Sequence, residues 1–188
     1  MKVTLAKTAG FCFGVQRAVD TVYRVLEEEH RKPVEEQRSI YTYGPIVHNE
    51  TVIQKLAAEG VQVLESEEEL AMLRDGIVII RAHGVPKHIY ELLEKQRVEA
   101  VDASCPFVQK IQRLVQQHTA AGEEVFVTGN PEHPEVIGIM GWAEGGISAI
   151  PDIETAEKLP NGEGRSVVVV SQTTFNIDKF KLIIDILK

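Results

Sequence analysis

At 188 residues, 44% hydrophobic and 26% charged, the chain can build one good core or two small domains and has the makeup of an ordinary globular protein. Its net charge of −8, with no basic tail or stripe, argues against a nucleic-acid surface, and no apolar run approaches the ~20 residues of a membrane span. The start, Met1 to Lys7, lacks the apolar stretch of a secretory signal, so the expected location is the cytoplasm, where Cys12 and Cys105 are not expected to form a disulfide.

In chain order, VTLAKTAG predicts a strand that runs into Cys12. CFGVQRAVDTVYRVLEEE then places Val15, Ala18, Val19, Val22, Val25 and Leu26 on one helical face. IYTYGPIV predicts a strand leading to His48, TVIQKLAAEG a helix, VQVLES a strand and Glu67 to Leu73 an acidic helical patch. GIVIIRAHG predicts a buried strand that leads to His83.

The same order then recurs. VEAVDAS leads into Cys105, and CPFVQKIQRLVQQHTAAG has Val108, Ile111, Leu114 and Val115 at helical spacing, with Pro106 in the first turn. EVFVTGN leads to His133, EVIGIMGWAEGG predicts a helix, ISAIPD a strand and Ile153 to Leu159 a helical patch. SVVVVSQTT predicts a last buried strand, ending at Thr173 and Thr174. The offset is 93 positions from Cys12 to Cys105, 85 from His48 to His133 and 90 from His83 to Thr173. Landmarks kept in register predict duplicated α/β units of roughly 90 residues. The expected organisation is an N-terminal strand over 1–9, a first α/β domain over 10–100 and a second over 101–188, both with parallel sheets.

Ligands of open α/β sheets bind beyond the carboxyl ends of the strands, where all these polar landmarks fall. Each cysteine starts a helix, whose positive end favours a thiolate; singly each reads as a buried cap, but as a matched pair they read as ligands. His48, His83 and His133 end strands and suit either metal ligation or anion binding, whereas His30, His88 and His118 lie on polar helix stretches without a role. Glu135 reads as a general acid or as a surface carboxylate at a helix start. Thr173 and Thr174 read as hydroxyl donors to a ligand or as turn residues, and Asn176 as a cap. Gly10 and Gly14 let the backbone approach a cofactor near Cys12. No Walker loop or dinucleotide fingerprint is present.

Together, GFCFGV at 10–15, HN at 48–49, AHGV at 82–85, DASCP at 102–106, HPEV at 133–136 and QTT at 172–174 resemble 4-hydroxy-3-methylbut-2-enyl diphosphate reductase, the terminal enzyme of the non-mevalonate isoprenoid pathway. The resemblance implies a trefoil of three similar α/β domains around a [4Fe–4S] cluster held by one cysteine from each domain. Cys12 and Cys105 would be two of these ligands. By the same resemblance, His48, His83 and His133 hold the substrate diphosphate rather than zinc, and Glu135 delivers protons with help from Thr173. A ferredoxin- or flavodoxin-type donor is implied as the electron source. The 93-residue offset projects a third cysteine at about 198, past Lys188. The expectation is therefore two of the three domains, inactive or weakly active alone. The N-terminal strand packs with the third domain in that family, and its free edge offers a route to a homodimer. Two rival readings are a noncatalytic diphosphate-binding paralogue and a zinc-dependent hydrolase built on the histidines.

Overall fold

The computed structural model describes residues 1–7, 9–96, 98–159 and 166–188. Helix α1 (Phe13–His30) is followed by β1 (Ile40–Tyr43), α2 (Glu50–Ala58), β2 (Gln62–Leu64), α3 (Glu67–Met72), β3 (Ile77–Ile80), α4 (Lys87–Gln96) and β4 (Glu99–Asp102). The second half runs α5 (Pro106–Ala120), β5 (Glu124–Thr128), α6 (Pro134–Met140), β6 (Ile147–Ile150), α7 (Ile153–Glu157), β7 (Val167–Ser171) and α8 (Ile177–Leu187). Every strand pair is parallel, in the orders β2-β1-β3-β4 and β6-β5-β7. The first three strands of each sheet share one order, so the duplication read from the sequence is a duplication of topology.

The apolar strands are sandwiched between helices, which is why they read as continuous Val/Ile runs. All four residues of β3 are buried. Ile77 and Ile79 enter a core with Ala18, Val22 and Val25 of α1, while Val78 and Ile80 enter a second core with Ile89 and Leu93 of α4. In the second sheet Val125 and Val127 of β5 pack with Val115 of α5 and Ile139 of α6, and Phe126 faces Ile183 of α8. Short polar residues start the helices as their chemistry predicts: Asn49, Ser66, Asp152 and Asn176 each accept backbone N–H bonds at α2, α3, α7 and α8. No helix among the described residues is long and apolar enough to cross a membrane.

Two expectations are revised and one element is added. The predicted strand over 1–9 forms no ladder among its described residues; Thr8 lies outside them, and Val3 and Leu5 are exposed. A strand needs an edge to pair with, and β4, its counterpart in the second unit, finds one on β3 of the preceding unit. The expected domain boundary between 100 and 101 falls inside β4, which completes the first sheet. Helix α8, unassigned from the sequence, covers one face of the second sheet through Ile183.

The two units meet along a seam. The Trp142 indole donates to the Val85 carbonyl at 2.9 Å and stands edge-on to Tyr90, with ring centroids 5.8 Å apart. Lys87 pairs with Glu144 at 2.9 Å, and its backbone N–H donates to the Gly141 carbonyl. Buried Gln112 of α5 donates to the carbonyls of Val85 and Gly138, one from each side.

Candidate active site

The loops after β1 and β3 carry His48 and His83, and the N-terminus of α6 carries His133. Their rings converge, with centroids 4.7 Å apart for His48 and His83, 5.5 Å for His83 and His133, and 6.2 Å for His48 and His133. One ring nitrogen from each lies within 4.8 Å of the others, so the trio could hold a metal ion as well as an anion. Close backbone approach across the seam makes this convergence possible. A Cβ on Gly138 of α6 would sit 3.2 Å from the Gly84 carbonyl group and 3.4 Å from the His83 carbonyl oxygen.

His133 is the N-cap of α6, and its Nδ1 accepts the Glu135 backbone N–H at 3.1 Å. That bond commits the Nδ1 lone pair to the start of α6. Burial first, then the charges of His48, His133 and Arg81, push the pKa of His83 down to about 4. His83 is therefore neutral near pH 7.

Glu135 is not the surface carboxylate that a helix-start position suggests; it is 2% exposed. Within the second unit the Thr173 backbone N–H donates to its Oε1 at 2.6 Å and the Thr173 hydroxyl to its Oε2 at 2.8 Å. Thr173 thus meets Glu135 directly. Thr174 is exposed, and its hydroxyl accepts from Gln172 at 3.1 Å. Asn176 caps α8.

Cys12 and Cys105 are the N-cap residues of α1 and α5; neither side chain makes a cap bond, and both thiols are free. A Cβ on Gly14 would sit 2.5 Å from the Cys105 Sγ, so the backbone two residues beyond Cys12 abuts the other thiol. Two residues span at most about 7 Å, which places both cysteines in one neighbourhood. The Cys105 N–H donates to the Ala82 carbonyl at 2.9 Å, next to His83. The Cys105 loop is fixed further by Arg17, whose guanidinium donates to the Ser104 carbonyl at 2.6 Å, and by Asp102, which accepts the Ser104 N–H at 2.8 Å. Soft, uncapped thiols at two positive helix ends, with a glycine where a side chain would intrude, fit an anionic iron–sulfur group.

Sequence reasoning missed Arg17 and Arg81. Arg17 lies five residues after Cys12 on α1, half-buried beside the apolar face. Arg81 adjoins AHGV, and its proximity to His83 was the available signal.

Fold and site together define a two-unit parallel α/β protein whose polar cleft is assembled from both units at the carboxyl ends of their strands. Comparison with known proteins agrees with that class. The family model described as LytB protein matches residues 3–188, and the chain belongs to this family. It is 39% identical over 188 residues to the 4-hydroxy-3-methylbut-2-enyl diphosphate reductase of Caldanaerobacter subterraneus subsp. tengcongensis and 42% identical over 189 residues to that of Thermoanaerobacter sp. strain X514, covering all of this chain in both cases. It spans 62% of the length of these relatives. The solved E-1-hydroxy-2-methyl-but-2-enyl-4-diphosphate reductase from Plasmodium falciparum superposes with a TM-score of 0.84 at 31% identity, over 97% of this chain and 54% of that one. A second solved structure, of (E)-4-hydroxy-3-methyl-but-2-enyl diphosphate reductase, the terminal enzyme of the non-mevalonate pathway, gives 0.78 at 35% identity, over 98% of this chain and 63% of that one.

Proposed function

We propose that this chain serves the reductive dehydroxylation of 4-hydroxy-3-methylbut-2-enyl diphosphate to isopentenyl and dimethylallyl diphosphates. The observation that carries the reading is the meeting, at one seam, of the imidazole trio, the buried Glu135–Thr173 pair and the Cys105 loop bonded to Ala82. Two electrons and two protons are consumed, and the hydroxyl oxygen leaves as water. Cys12 and Cys105 would hold part of a [4Fe–4S] cluster, which when bound supplies the electrons and a Lewis-acidic iron. A ferredoxin- or flavodoxin-type protein is the proposed donor.

The protein's own residues do the rest. His48, His83 and His133 bind the diphosphate and so fix the allylic carbon, converting binding energy into orientation. Glu135 holds the proton destined for the leaving oxygen, a task suited to a buried carboxyl group. Thr173, bonded to both carboxyl oxygens, keeps it aimed and accepts its share of the proton traffic.

Anaerobic reconstitution with iron and sulfide tests the cofactor, and titration with inorganic pyrophosphate tests the imidazoles. The reading expects a brown protein whose colour requires both Cys12 and Cys105, and pyrophosphate binding lost in His83→Ala. A colourless protein that binds pyrophosphate would instead be a noncatalytic diphosphate binder. The spacing of the imidazole nitrogens also supports a zinc hydrolase, which predicts tight zinc binding and a hydrolytic activity abolished by chelator.

A further inference from the structure

Arg81 follows β3 and precedes the His83 loop. Its guanidinium carbon lies 5.9 Å from the centroid of the Tyr43 ring, and its Nε–H points at the Gly84 carbonyl at a long 3.5 Å. A Cβ on Gly44 would sit 2.2 Å from its Nη1. The guanidinium is therefore wedged between residue 44, where the loop to His48 begins, and the 81–84 loop that carries His83. Among the described residues no carboxylate lies within ion-pair distance of it.

A partly buried cation without a counter-ion is costly, and burial lowers its pKa. Guanidinium nevertheless keeps its charge at any working pH. Among the described residues the surroundings offer no neutralising carboxylate. Tyr43 stands on β1, His48 and His83 on the two loops, and His133 at the start of α6. Glu67 and Glu68 of α3 act on the Tyr43 hydroxyl, and Glu67 is paired with His88 at 2.9 Å. The histidines alone make a weak anion trap near neutrality, since His83 resists protonation in the free protein.

We infer that Arg81 is the standing positive charge of the anion site, positioning the His48 and His83 loops and taking its counter-ion from a bound diphosphate. This rests on the reading of the imidazole trio as a diphosphate site and adds to it a residue that acts through the two loops and through its field. A permanent charge lets the site attract a polyanion before any imidazole gains a proton.

Calorimetric titration of the full chain with inorganic pyrophosphate tests the inference in wild type, Arg81→Gln, Arg81→Lys and His83→Ala. At low salt and about pH 8, Arg81→Gln should bind about tenfold more weakly and Arg81→Lys within about threefold of wild type. The gap between wild type and Arg81→Gln should close in about 0.5 M sodium chloride, which screens the field of the guanidinium. Equal affinity of Arg81→Gln and wild type would overturn the inference while leaving the histidine site standing. An equal loss in the Gln and Lys variants at either salt concentration, with a lowered melting temperature, would also overturn it, because Arg81 would then serve only the fold. If wild type bound no pyrophosphate, or His83→Ala bound it unchanged, the diphosphate reading itself would fall and Arg81 with it.

Discussion

His83 links the acid limb of the stability curve to the candidate site. Its pKa is pushed from 6.5 to about 4, first by burial and then by His48, His133 and Arg81. The unfolded chain binds a proton there from about pH 6.5 downward, whereas the folded chain refuses it until about pH 4. Protonation thus favours the unfolded state: the penalty is absent above the unfolded value, grows as pH falls through the window and is constant below it. At about 1.4 kcal/mol for each tenfold change in proton affinity, the interval amounts to roughly 3 kcal/mol at its limit. The ring is only partly buried, and solvent screening reduces the expected effect to about 1.5 kcal/mol. Glu29 does not confuse the reading, because its carboxyl titrates lower, between 4.5 and about 2. His83→Asn removes the titration. Urea unfolding followed by circular dichroism, from about pH 7.5 to about pH 4.5, should show the variant gaining about 1.5 kcal/mol on wild type across that range. Inorganic pyrophosphate should flatten the wild-type curve by favouring the protonated ring. Parallel curves for the two proteins would refute the claim that His83 is folded into a site that repels its proton.

Gly14→Ala should cut iron retention after reconstitution several-fold with little change in melting temperature, since its Cβ would sit 2.5 Å from the Cys105 Sγ; iron release to a chelator measures it. Glu29 is buried, and although burial raises its pKa, the Lys32 ammonium and the Arg38 backbone and guanidinium bonded to it bring it down to about 2. Glu29→Gln should therefore cost about 2 kcal/mol near neutrality, by denaturant unfolding, with the gap to wild type narrowing as pH falls from 4.5 toward 2. In a complete reductase carrying this segment, Glu135→Gln should lower turnover by about a hundredfold or more and leave the visible absorption intact; full turnover would remove Glu135 from proton delivery.

The repeat was legible because its units are specified locally. Cys12 and Cys105 each precede a helix with an apolar face, and the run IVII declares a strand buried on both sides, whereas VVVVS, which reads as equally buried, lies at the edge of its sheet with only Val170 buried. The imidazole trio followed from strand-end position alone, since parallel sheets collect such residues at one edge. Other features depended on partners remote in sequence. Glu135 reads as a surface acid until Thr173, 38 residues away, closes over it. Arg81 has no periodic signature, because what sets it apart is that no carboxylate among the described residues pairs with it. The first nine residues have the composition of a strand, yet a ladder needs a neighbour, and sequence pattern does not say whether one is at hand.

His48 and His83 rise from one sheet and His133 from the other, so the distances among the three rings gauge how the halves are docked. Neither half owns the pocket. A breathing motion that lifted Trp142 from the Val85 carbonyl would disperse the triangle while both sheets stayed intact. Ligand affinity should accordingly fade on warming before the helical signal does, and a bound polyanion, clasped by both halves, would rivet them together.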